Sequence, residues 1–81
     1  MTDAPKRPFY SAALLNPADL TDRSRDYTPL GIADAENDKQ AIDFAIRRGT
    51  DWLVRNGIDW AVLHIVRDAH AFYSEPLRVT R

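Results

Sequence analysis

Apolar positions along the chain switch period, and each switch marks an element. From Ala41 to Leu53 they recur at helical spacing. Ala41, Ile42, Ala45, Ile46, Gly49, Trp52 and Leu53 fall on one arc about 140° wide. After Gly57 the pattern becomes a run of alternating faces, Trp60 to Val66, which reads as a strand. Asp68 and Ala69 form a turn, and Ala71 to Val79 returns as an antiparallel strand. Pro76 lacks a backbone donor, so this strand belongs at an edge or is bulged near Glu75. Before the helix, Phe9 to Leu15 reads as a strand because Phe9 and Tyr10 favour the pleat; its Ala-Ala-Leu-Leu part also fits a short helix. Asn16-Pro17 ends it, and Asn16 to Asp26 is a polar loop. Tyr27 to Ala33 is a second strand, with Thr28, Leu30 and Ile32 on one side, and Pro29 and Gly31 push it to an edge.

The helix carries its own boundaries. Asn37 can cap it, and Gln40 three residues on completes a capping-box pattern. Glu36 and Asp38 place negative charge at the positive end of the helix dipole. Asn56-Gly57 is the stop. Asp43 to Arg47 and Asp51 to Arg55 are four-apart pairs in the favourable order. Gly49 is either a point of close approach to the sheet or a break into two helices. The expected fold is therefore α+β: a small, mostly antiparallel sheet of three or four strands with one amphipathic helix on one face, in the order ββαββ.

A count of faces follows from this layout. In the strand from Trp60 to Val66, Ala61, Leu63 and Ile65 make one face, and Trp60, Val62, His64 and Val66 make the other. Both are apolar, and one helix covers only one. The second face needs cover from the N-terminal arm and loop, from a second copy, or from another protein. On the helix, Phe44 projects outside the apolar arc beside Arg48 and Arg55. It is either an aromatic folded back and covered by Arg stems or an exposed anchor of the kind that dominates interfaces. The candidate protein-binding residues are Phe44, Arg48, Arg55, Trp60, Val62 and Val66.

Composition narrows the function without naming it. At 81 residues the chain is one domain, with residues 1–7 expected to be a flexible arm. No Cys is present to staple it, so stability rests on apolar packing. The net charge of -1 gives no bulk attraction to nucleic acid or to an anionic membrane. The N-terminus lacks the apolar run of a signal peptide, and no stretch approaches a membrane span, so a cytoplasmic location is expected.

Motifs for chemistry are missing. His64 and His70 are the only two histidines, and they lie too far apart on the hairpin to share a metal, His64 facing Tyr73 across it. Asp19, Asp22 and Asp26 do not follow the calcium-loop pattern. Ser11, Ser24 and Ser74 have no nucleophile context, and three scattered Gly cannot make a phosphate loop. No cofactor and no catalytic residue are expected. The expected function is a non-catalytic protein-binding module, an inhibitor or antitoxin type that occludes a partner surface or self-associates as a homodimer. The alternative is a nucleic-acid binder using Arg47, Arg48, Arg55, Arg67 and Arg78; Asp43 and Asp51 interleaved with the helix arginines argue for a solvated face instead.

The run from Ala35 to Ala45, with Ala41 and Ala45 four apart behind a polar cap, resembles the layout of small bacterial single-helix α+β proteins. More distantly it is similar to the antitoxins of HicAB toxin–antitoxin systems, which place a strand-rich N-terminus before such a helix. The resemblance implies only the layout, and no functional residue; small proteins of this build include inhibitors and antitoxins, some carried by phages and other mobile elements.

Overall fold

A computed structural model describes residues 8–15 and 27–80. The elements are β1 (Tyr10–Leu15), β2 (Tyr27–Leu30), α1 (Asp38–Asn56), β3 (Trp60–Arg67) and β4 (His70–Arg78). The four strands form one sheet in the order β2-β1-β3-β4, every pair antiparallel, with α1 packed on one face. This is the expected α+β fold in the order ββαββ. The N-terminal arm and the Asn16 to Asp26 loop lie outside the described residues.

β1 is a strand, not a short helix. It pairs on both sides, and Tyr10, Ala12 and Leu14 alternate into the core, a period a helix cannot supply. β2 stops at Leu30, short of the Ala33 expected. The Ile32 carbonyl accepts from Ala35 N–H at 3.0 Å, closing a turn that leads into the helix while Ile32 stays buried.

α1 begins as its sequence predicts: Asn37 accepts from Gln40 N–H at 2.9 Å. The Gln40 side chain reaches back to accept from Glu36 N–H at 2.9 Å, one residue earlier than the usual capping box. Gly57 closes the helix at φ 66°, and Ile58 N–H donates to the Leu53 carbonyl. The helix runs unbroken through Gly49. A Cβ there would lie 2.8 Å from Leu77 Cδ2 and 3.3 Å from Leu14 Cδ2, so the missing side chain is what lets the helix approach the sheet. Ala41, Ala45 and Leu53 complete the buried stripe, facing Ala61, Leu63 and Ile65 of β3.

The β3–β4 turn has Asp68 at φ 49° and Ala69 at φ 69°, the two positive values of a tight hairpin turn. Pro76 lies on the edge strand as expected, but the irregularity is not near Glu75. Pairing passes from Ile65–Tyr73 to Val66–Ala71, leaving Phe72 as the extra residue. His64 consequently faces Ser74, not Tyr73. The bulge turns Phe72 onto the helix side, where its ring meets Tyr10 edge-on with centroids 6.0 Å apart.

Candidate protein-binding face

Alternation along β1 and β3 decides what each sheet face presents. Leu14 pairs with Leu63 and Ala12 with Ile65, all under the helix. Leu15 pairs with Val62, Ala13 with His64 and Ser11 with Val66, all on the opposite face. The ladder continues past β1, where Asp68 N–H donates to the Phe9 carbonyl at 2.9 Å, and alternation puts Phe9 on that opposite face too, 61% exposed. The result is two adjacent apolar rows: Phe9, Ala13 and Leu15 on one strand, Trp60, Val62 and Val66 on the next. None of these six belongs to the buried core or to the side chains packed against it. Among the described residues no element lies over them.

Among the described residues two charged side chains border the face, Asp68, which accepts from Phe9 N–H at 2.9 Å, and Arg78. Arg78, opposite Trp60 on β4, holds its guanidinium 5.0 Å from the Trp60 ring centroid. His64 sits mid-face, half-buried between Ala13 and Ser74. His70 is exposed at the turn, and among the described residues no three His, Asp or Glu side chains are placed to hold a metal.

Phe44, Arg48 and Arg55 lie on the helix, on the other side of the sheet from Trp60, Val62 and Val66. Phe44 is half-buried and packed against the core. The Arg48 guanidinium sits 4.9 Å from its ring centroid and also donates to the Gly31 carbonyl and to Asp34 at 3.1 Å. This clamp fastens the turn after β2 to the helix, and the Arg48 hydrogen bond holds the Asp34 carboxyl below its ordinary pKa. Arg55 pairs with Asp51 at 2.6 Å, both exposed; no ion pair joins Asp43 to Arg47. The six candidate residues therefore form two groups, and among the described residues the sheet group is the half-exposed apolar one with no element over it.

The opposite end of the helix is tied down as well. The Tyr10 hydroxyl donates to Asp38 at 2.6 Å, and Arg67 donates to the other carboxylate oxygen at 2.6 Å. These two bonds, Tyr10's first, lower the Asp38 pKa. Burial, reinforced by the Asp38 bond, raises that of Tyr10. The network joins β1, β3 and the helix N-terminus, which explains a buried Tyr on a strand without invoking catalysis.

Sequence reading found the β3 row because one strand's alternation exposes it. It missed Phe9, Ala13 and Leu15. Their signal was the same alternation in Phe9 to Leu15, hidden by reading Ala-Ala-Leu-Leu as ambiguous. Comparison with protein-family models, with curated proteins and with solved structures finds no match.

Proposed function

We propose that this chain is a non-catalytic protein-binding module that acts by occlusion through the open sheet face, in the manner of a small inhibitor or antitoxin. The observation that carries this reading is the pair of apolar rows, Phe9, Ala13, Leu15 and Trp60, Val62, Val66, with no described element over them. An uncovered apolar patch of this kind marks an interaction surface. Trp60, half-buried and backed by Arg78, is the aromatic anchor such surfaces rely on.

The arginines support this reading over nucleic-acid binding. Arg48, Arg55 and Arg67 are each paired with an Asp, and Arg78 is stacked on Trp60. Phosphate binding needs free cations converging on one surface. The test uses the full-length chain as bait, wild type against Val62→Asp, at low and high salt. Apolar docking predicts a partner, or the chain itself, retained by the wild type at high salt and lost from Val62→Asp. Retention of nucleic acid that weakens steeply with salt and ignores Val62→Asp refutes the reading.

A further inference from the structure

We infer that the occupant of the open sheet face is a second copy of this chain, docked face to face about a two-fold axis running across the strands. The inference rests on the protein-binding reading above and adds the partner's identity.

The first argument excludes the edges. Val79 N–H donates to the Asp59 carbonyl, which fixes the hydrogen-bonding alternation along β3 and β4. Residues 61, 63 and 65 then bond to β4, and the Pro76 nitrogen points outward from the sheet. On the other side, Asp68 N–H to the Phe9 carbonyl fixes the β1–β3 alternation, and carrying it across β1 points the Pro29 nitrogen outward from β2. Each free edge therefore presents a proline where a strand donor would stand. This is how sheets block edge-to-edge pairing. The edges are guarded, but the open face is not. Among its described residues it carries no Asp, Glu or Lys between the Trp60–Arg78 end and the Phe9–Asp68 end.

The second argument is self-complementarity. Trp60 and Arg78 lie at one end of the face, Phe9 and Asp68 at the other. A two-fold axis across the strands reverses strand direction. It brings the Trp60 end of one copy over the Phe9 end of the other, twice, and sets Arg78 towards the second copy's Asp68. An isologous interface requires this reciprocity. The alternative axis, along the strands, would lay β4 over β2 and keep the Trp60 and Arg78 end of each copy over the same end of the other, away from Asp68.

Area is the third argument. Four strands about 4.8 Å apart and four to nine residues long project on the order of 400 Å². With side-chain relief, two such faces reach the roughly 1,200 Å² total at which specific interfaces begin. A stable dimer therefore uses the whole face, and two stacked sheets about 10 Å apart is an established packing.

The experiment is light scattering on the full chain across a concentration range, with Trp52→Phe as background so that Trp60 alone reports by fluorescence. Expected is twice the 9.2 kDa chain mass, with Trp60 shielded from acrylamide. Val62→Asp and, independently, Ala13→Arg should give monomers that keep the wild-type circular dichroism and expose Trp60 to quencher. Val54→Asp, on the exposed helix surface, should leave the dimer intact. A monomer with Trp60 open to quencher overturns the dimer and leaves protein binding standing. A monomer with Trp60 shielded overturns both, because the chain then covers its own face. A dimer indifferent to Val62→Asp and Ala13→Arg overturns the proposed interface.

Discussion

Gly49→Ala separates a helix that merely lies near the sheet from one that depends on touching it. At an exposed helical site, this change stabilises by about 1 kcal/mol, because Ala loses less backbone entropy on folding. Here the new Cβ would stand 2.8 Å from Leu77 Cδ2 and 3.3 Å from Leu14 Cδ2. The Leu77 methyl is the end of a flexible side chain on the edge strand and can yield. Leu14 is buried, with 2% exposure, and has little room. Overpacking of this kind costs about 1–3 kcal/mol. The propensity gain offsets part of it, leaving a net loss of about 1 kcal/mol. For a domain of this size that lowers Tm by roughly 4–8 °C. Urea unfolding followed by circular dichroism checks it, with an unchanged slope required for the midpoint shift to mean stability. Leu77→Val in the same chain should recover part of the loss, a coupling of about 1 kcal/mol in the double-mutant cycle. A stabilised Gly49→Ala, uncoupled from Leu77, would refute the close approach.

Three further outcomes follow from other parts of the structure. Ala69→Gly should stabilise by about 0.5–1 kcal/mol, since Ala69 holds φ 69° and only the Cβ is removed; a loss in thermal melts would contradict the turn geometry. Leu63→Ala, at 0% exposure in the middle of β3, should cost about 2–5 kcal/mol in urea unfolding, and a cost under about 1 kcal/mol would mean the helix does not cover that face. Asp38 and Asp34 have folded-state pKa values below their unfolded ones, so the stability they contribute is present above the ordinary carboxylate range and is lost as pH falls below about 4. Asp38→Asn should flatten that acid limb of a stability–pH curve, and a curve unchanged by the substitution would sink the Tyr10–Asp38–Arg67 network as its source.

What could be read in the sequence was local. The Asn37 cap, the Gly57 stop, the helix stripe and the β3 alternation depend on neighbours a few residues apart, and each is found where the pattern places it. The departures depend on contacts between distant segments. Phe72, the extra residue of the bulge, packs its ring against Tyr10, far away in sequence. Phe44 leaves the exposed side of the helical wheel by packing against the core under the Arg48 guanidinium, which is itself held by Gly31 and Asp34 of the turn after β2. A wheel drawn from one helix contains neither contact.

The same distinction explains why the open face was half legible. One strand's alternation is enough to show that two apolar faces exist, and the helix stripe shows that one is covered. Which residues widen the uncovered face depends on register, and register is set by pairing: Leu15 with Val62, Ala13 with His64. Charge behaves the same way. The sequence shows interleaved Asp and Arg, but only the fold shows that Asp34, Asp38 and Asp51 each neutralise an arginine at the helix or its ends, away from the open face. Among the described residues the ion pairs lie off one sheet face, each sheet edge carries a proline and the bordering Arg78 stacks on Trp60, which leaves that face suited to apolar contact. That division of labour, more than any motif, is what the proposed binding role rests on.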